Sequence, residues 1–325
     1  MALIKVKERG RETVNLGRRN ILINGAFQNW QRGTSFNSNV YGSDRWKFYA
    51  PGSHAYSRST DTPDYGLATE PTGFEFSASL GGSGDATGLT QFVESRNSKH
   101  IPISGSTKVI LSFYLKHTTN SGTAKITSSI GTLDSADSSG ATTTRSTQNH
   151  NTTTGWVRYT HETTGATLTS AAGNGVQVTI KHNGSGTTAF LLTGCQLEIS
   201  ELVTPFEHRS FGEELQLCQR YYEQVGSGAS ALANSSTQFW TGYQFQTEKR
   251  AEPTASVIAS TVRYFKFGIA NRDNSSPSIG QGYYSPRAAN IRVDGFSSLS
   301  ANESAMTGGS ISDHRDVMFA FDAEL

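Results

Sequence analysis

His161 to Gly165 reads HETTG, the opening of a zinc-protease pattern. In that pattern two histidines four apart on one helix face hold the metal, and the glutamate between them activates water. Gly165 stands where the second histidine is needed, and the alternation around it is that of a strand. No metal site is expected there or elsewhere. Gly184 to Ala189 reads GSGTTA, a loose form of the dinucleotide-binding turn, which needs a strand before it and a helix after it. Another strand pattern, FLLTGCQLEI, follows, so the turn reads as a hairpin connection. The chain has no G-x-S-x-G nucleophile turn and no P-loop. Asp61 with Asp64, and Asp134 with Asp137, are nearby acids in turn-like segments. A glycosidase needs two carboxyls roughly 5–10 Å apart across a cleft, whereas turn acids usually cap backbone N–H groups. No catalytic residue is assigned, no cofactor is implied, and the expectation is a protein that is not an enzyme.

What remains is the chemistry of aromatic rings. A sugar presents apolar C–H faces and a rim of hydroxyls, so it binds exposed rings flanked by amide, carboxylate or guanidinium groups. Trp240, Tyr243, Tyr283, Tyr284 and Arg287 lie in or beside Gly- and Ser-rich turns, as do Tyr41, Tyr56 and Tyr65. These eight are the candidate glycan-binding residues. Tyr283 and Tyr284 are adjacent, so in an extended chain they point to opposite faces and one of them is exposed. Trp30, Trp46 and Trp156 sit in strand patterns and are expected in a core.

The elements that must position these residues are strands. Of 325 residues, 35% are hydrophobic and 17% charged, with 33 glycines. Globular proteins are usually ~45–50% apolar, yet aromatics reach 10% and are evenly spread, which disordered chains are not. A β-sandwich with solvated outer faces has this composition. Thr fills 12 of the 30 positions from 141 to 170, and it suits a pleated surface. ILINGAFQNW, DRWKFYA, KVILSFYLK, GWVRYTHET, GVQVTIKHN and AFLLTGCQLEI read as strands between turn clusters. Val109, Leu111, Phe113 and Leu115 share one face, as do Val176, Val178 and Ile180. Many short strands without crossover helices imply antiparallel pairing.

One stretch breaks the pattern. In TPFEHRSFGEELQLCQRYYEQ, Ser210 and Glu213 form a capping box, and Phe211, Leu215, Cys218 and Tyr222 follow at helical spacing. The spacing predicts a helix over about 211–224, whose apolar face meets another domain or another copy. Strand patterns return after Gly228. The reading is an all-β protein: a basic arm over 1–19, a jelly-roll or β-sandwich over 20–207, a linking helix over 208–227 and a smaller β-sandwich over 228–325. Two cysteines are too few to staple it and are expected as buried thiols. A net charge of +1 gives no basic face for nucleic acid. No stretch approaches the ~20 apolar residues of a membrane span, and residues 1–20 lack a secretory h-region, so folding in a reducing cytosol is expected.

INGAFQNWQRGTSF, YGSDRW, GCQLEISELVTPFEHRSFGEELQLCQRYYEQ and the terminal FDAEL together resemble bacteriophage virion proteins of the tail-fibre and tail-spike kind. These carry a jelly roll like a carbohydrate-binding module, followed by a C-terminal β-domain. The resemblance covers roughly 20–260 and the last residues, and carries no catalytic signature. It implies a homotrimer assembled in host cytoplasm and located in the virion. It implies anchoring to other virion proteins through the basic arm, with Lys5, Lys7, Arg9, Arg11, Arg18 and Arg19, and attachment of a distal tip to host surface polysaccharide. Short length keeps a head-fibre or capsid-decoration role open, and a polysaccharide depolymerase ranks last. Jelly rolls of this kind often hold a structural Ca²⁺, but no acidic loop here has a recognisable ligand spacing.

Overall fold

The computed structural model describes residues 19–37, 39–49, 55–64, 73–80, 87–103, 105–120, 124–266, 272–308 and 317–325, with 73–80 described by backbone alone. The chain forms two compact units that divide between Ser210 and Phe211.

In the first unit the strands are β1 (Ser35–Phe36), β2 (Lys47–Tyr49), β3 (Ala55–Ser59), β4 (Gly73–Leu80), β5 (Gly88–Glu94), β6 (Lys108–Asn120), β7 (Lys125–Leu133), β8 (Thr142–Asn151), β9 (Val157–Thr164), β10 (Gly175–His182) and β11 (Gly186–Ile199). Single helical turns α1 (Ser95–Ser98) and α2 (Gly165–Leu168) interrupt them. They form a six-stranded sheet in the order β1-β3-β4-β11-β6-β9 and a five-stranded sheet in the order β2-β5-β10-β7-β8. The pairings between these strands are antiparallel. The two inward stripes expected from alternation, on β6 and β10, are fully buried and share one core with Trp46, Phe48, Phe190 and Leu197. Each such side chain contributes about 1.5–3 kcal/mol by leaving water. The GSGTTA turn is not a hairpin, because β10 pairs with β5 and β7 while β11 pairs with β4 and β6. It carries the chain from one sheet to the other.

The stretch ILINGAFQNW is not a strand either. It is a buried loop several of whose amides, those of Leu22, Ile23 and Asn29 among them, are satisfied by side chains. Asn20 accepts from the amides of Leu22 and Leu197 and donates to the Cys195 carbonyl at 3.0 Å. Gln91 accepts from the Ile23 amide at 2.8 Å and donates to its carbonyl at 2.7 Å. The loop docks where the β11–β6 register shifts between Thr193 and Gln196. Gly25 lies so close there that a Cβ would overlap the Cys195 carbonyl.

A polar strap from the TPFEHR stretch fastens this loop. Glu207 accepts from the amides of Arg19 at 3.0 Å and Asn20 at 2.9 Å. Arg209 donates to the carbonyls of Leu22, at 3.0 Å, and Asn20. Gln196 and Glu198 of β11 in turn accept from the amides of Glu207 and Thr204. Burial raises the Glu207 pKa, but the two amide bonds and Arg209 outweigh it and hold the carboxyl below its ordinary value.

At the β9 and β8 edges of the sandwich a histidine clasp joins the sheets. His161 of β9 meets Ser128 of β7 at 3.0 Å through Nδ1 and Ser146 of β8 at 2.8 Å through Nε2. His150 meets the same Ser128 hydroxyl at 2.8 Å. His161 to Thr164 thus lie on a strand, as expected, and Gly165 opens α2. Burial, and secondarily His150, push His161 down to about 4.

The second unit opens with α3 (Phe211–Gln219), followed by β12 (Tyr222–Gly226), β13 (Ser230–Ala233), β14 (Gln238–Gln244), β15 (Thr254–Val257), β16 (Val262–Phe265), β17 (Arg272–Asn274), β18 (Ser278–Tyr284), β19 (Ala288–Asp294), β20 (Ser304–Gly308) and β21 (Val317–Asp322). A three-stranded sheet, β12-β21-β15, faces a seven-stranded one, β17-β16-β20-β13-β14-β19-β18, over a core of Phe239, Tyr264, Ile291, Val293, Phe319 and Phe321. The helix ends five residues before its expected limit of 224, at Gln219. Tyr222 instead pairs with Asp322 on β21, so it does not share a helical face with Phe211, Leu215 and Cys218. Cys218 is buried, Leu215 half-buried and Phe211 exposed. β21 offers this segment an antiparallel ladder from Tyr222 to Gly226 in place of a further helical turn. Lys249 locks the transition: its ammonium donates to the Gln219 carbonyl and pairs with Glu223 in a buried contact. Cys195 and Cys218 are both buried thiols, as expected.

Glu207→Ala leaves two amides without their acceptor and Arg209 without its ion pair, and is expected to cost about 3 kcal/mol, read as a lower urea midpoint. The clasp sets an acid limit. A histidine with a folded pKa below its unfolded value contributes stability that is complete above about 6.5 and is lost as pH falls toward about 4. The unfolding free energy from urea titration should therefore drop between pH 7 and pH 4.5 by on the order of 2 kcal/mol, and His161→Gln should flatten much of that drop.

Candidate functional site

The seven-stranded sheet turns one face to its core and the other outward, and alternation decides which residues each face receives. On β14, Phe239, Thr241 and Tyr243 point in, while Trp240 and Gly242 point out. On β19, Ala289, Ile291 and Val293 point in, while Asn290, Arg292 and Asp294 point out. Register then aligns an outward row across five strands: Ser304, Leu232, Trp240, Arg292 and Gln281. The neighbouring row holds Gly242, Asn290 and Tyr283.

Within these rows the Trp240 and Tyr283 rings lean together over β19. Their centroids are 5.6 Å apart and their planes differ by 18°. Tyr283 is 61% exposed, Leu232 47% and Met306 40%, and the rings close the β18 end of this exposed apolar band. Beside them Arg292 forks onto Asp294, with Nε to Oδ1 at 2.8 Å and Nη2 to Oδ2 at 2.9 Å. The Gln281 amide donates to the Tyr283 hydroxyl at 3.1 Å. A bulge in β18 between Ile279 and Gln281 makes room for the fork. The residue at the bulge is Gly280, and a Cβ there would overlap Asp294 Oδ2 and Arg292 Nη2. A flat pair of rings edged by a guanidinium, a carboxylate and two amides can stack on C–H faces and bond hydroxyls.

Of the expected glycan-binding residues, the structure brings Trp240 and Tyr283 together. Tyr243 and Tyr284 fall on the core face, in one row with Ala289. Tyr243 packs against Phe319 and Phe321, and Tyr284 is half-buried against the same core. Arg287 stands apart at a turn, paired with Glu248 at 3.2 Å. Tyr56 is buried between Phe36 and Phe48, and burial raises its hydroxyl pKa, so it is not a display ring. Tyr41 lies near the cations of Arg32 and Lys47 in the first unit. Tyr65 lies outside the described residues, as do Lys5, Lys7, Arg9, Arg11 and Arg18 of the arm. Arg19 is described, and its amide serves the strap.

Trp46 is fully buried and Trp30 packs on the same core. Trp156 does not join it: its indole N–H donates to Asp61 at 3.1 Å, and Lys116 covers the ring at 5.2 Å. The acids of the turn pairs do structural work. Asp134 accepts from the Thr143 hydroxyl, and Asp137 from the Ser95 amide and hydroxyl. Burial raises the Asp61 pKa, but bonds from Lys116 and Trp156 outweigh it and keep it ionised. Among the described residues no three His, Cys, Asp or Glu side chains gather into a metal set. Arg292, Asp294, Asn290, Gln281 and Leu232 were not among the expected residues. Alternation in AANIRVD separates the two faces of β19, but sheet order, which sequence does not carry, places them under the rings.

No family model and no curated protein matches the chain. The protein is an antiparallel β-sandwich protein, and solved structures similar to it include carbohydrate-binding modules. It is similar to TmCBM61, solved with β-1,4-galactotriose, at 15% identity and a TM-score of 0.33, covering 56% of this chain and 100% of that one. It is similar to the CBM22-1 xylan-binding domain of Paenibacillus barcinonensis Xyn10C at 12% identity and a TM-score of 0.34, covering 57% and 96%. The enzymatically active domain of bacteriophage CBA120 tailspike protein 4 is similar at 17% identity and a TM-score of 0.37; the match covers 56% of this chain and 22% of that one.

The face assignment has a direct consequence for stability. Tyr243→Ala and Tyr284→Ala, on the core face, are expected to cost about 3 kcal/mol each. Trp240→Ala and Tyr283→Ala, on the outer face, should cost less than about 1.5 kcal/mol. Urea denaturation of the four variants checks this, and equal costs would contradict the assignment.

Proposed function

We propose that this is a non-catalytic, glycan-binding virion protein of a bacteriophage, a short tail fibre or receptor-binding protein that attaches to host surface polysaccharide. The observation that carries the glycan-binding part is the exposed, near-parallel Trp240–Tyr283 pair with hydrogen-bonding groups along its edge. Ring pairs of this kind stack on the C–H faces of pyranose units, and the fork and amides bond the hydroxyl rim. The virion part is supported by the resemblance of the INGAFQNW and QLE…TPFEHR stretches to phage structural proteins. Both stretches have folding roles here, since they form the docked loop and its strap. A homotrimer would present three copies of the face, and linked weak sites gain ~10²–10⁴ in avidity without new contacts.

Affinity electrophoresis of the full chain through gels containing soluble polysaccharide tests the reading. Retardation by at least one polymer, reduced about tenfold or more in Trp240→Ala, with no new reducing ends released, is the expected result. Retardation that Trp240→Ala leaves unchanged would place the site elsewhere, and polymer cleavage would make the protein a depolymerase.

A further inference from the structure

The charge pattern around the rings bears on which sugars they take, and the argument rests on the glycan-binding reading above. Arg292 is the cation nearest the Trp240–Tyr283 pair in the register, directly opposite Trp240 on one side and Gln281 on the other. A guanidinium in such a place would ordinarily suit a carboxylate, sulfate or phosphate, which it grips with two parallel N–H groups. Here that fork is already filled. Both Nε and Nη2 point at Asp294, and only Nη1 turns outward, where Gln281 Oε1 lies at 3.5 Å. The arrangement is built into the backbone. Arg292 and Asp294 are two apart on β19 and so share a face. The bulge and the absent side chain at Gly280 let the pair lie flat across the adjoining strand. The other described arginine of the outward rows is treated the same way: Arg263 of β16 forks onto Asp273 of β17, with contacts of 2.5 and 2.7 Å.

We infer that the outer face of the second unit selects neutral glycan chains and rejects acidic ones, with the Arg292–Asp294 pair as its specificity determinant. A hydroxyl both donates and accepts. Vicinal hydroxyls of a neutral pyranose can therefore give a proton to an Asp294 oxygen and take one from Arg292 Nη1 at the same time. A uronate, sulfate or phosphate can use only the arginine, and it meets the Asp294 carboxylate at contact range without a second cation to offset it. Because the pair carries no net charge, binding should be nearly independent of salt.

The test uses the full chain, with soluble xylan, galactan, mannan and β-glucan as neutral polymers and alginate, hyaluronan and dextran sulfate as acidic ones. Affinity electrophoresis and titration calorimetry at 50 and 300 mM NaCl read the binding. The expected result is retardation by at least one neutral polymer, lost in Trp240→Ala and changed less than twofold by salt, with no retardation by the acidic set. Asp294→Asn frees the guanidinium fork, so it should gain salt-sensitive binding to acidic polymers of tenfold or more and lose affinity for the neutral one. Gly280→Ala, which displaces the pair without removing a charge, should weaken neutral binding. If either variant does not fold, the wild-type preference and its salt dependence still decide. Trp240-dependent binding that favours acidic polymers and weakens with salt overturns the charge inference and leaves the ring face standing. If no polymer binds in a Trp240-dependent way, the ring face fails and the inference fails with it.

Discussion

Glu207 and Arg209 hold the first unit closed. A sandwich in a chain only 35% apolar cannot rely on its core alone, and its buried loop at 20–30 has backbone groups that no ladder reaches. An unpaired buried amide costs about as much as a lost hydrogen bond. Asn20, Gln91, Glu207 and Arg209 supply the missing partners, and β11 opens its register to receive the loop. The six-stranded sheet is thus fastened by this strap on β11 and by the His161 clasp on β9.

The same economy runs through the second unit. Cations are neutralised where they stand: Lys249 by Glu223, Arg292 by Asp294, Arg263 by Asp273, Arg287 by Glu248. Exposed pairs of this sort add little stability. On the outer face they leave the Trp240 and Tyr283 rings beside a guanidinium–carboxylate pair of no net charge.

The core strands are legible in the sequence because period-2 alternation is strong on β6 and β10, where one slip would send every apolar residue to water. Three other features are not. ILINGAFQNW looks like a strand because its apolar residues are buried, yet its backbone bonds to side chains brought from residues 91 and 209, and its entry at Asn20 to Glu207, none of which a local window contains. Tyr221, Tyr222 and Val225 fit a helical stripe and a strand equally well, and only the open edge of β21 decides between them. Tyr283 and Tyr284 are correctly split between faces by adjacency, but the stack on Trp240 needs β19 inserted between β14 and β18, a fact of sheet order. Tyr243 looks like Trp240 in composition and differs from it only in parity along β14.

The central claim is that sugar lies against Trp240 and Tyr283. A crystal structure of the full chain with a bound neutral oligosaccharide tests it most directly. The account predicts a pyranose ring stacked on that pair, with hydroxyls on Arg292 and Asp294. Sugar seated solely on the first unit, with the Trp240–Tyr283 face bare and open to solvent, would contradict it.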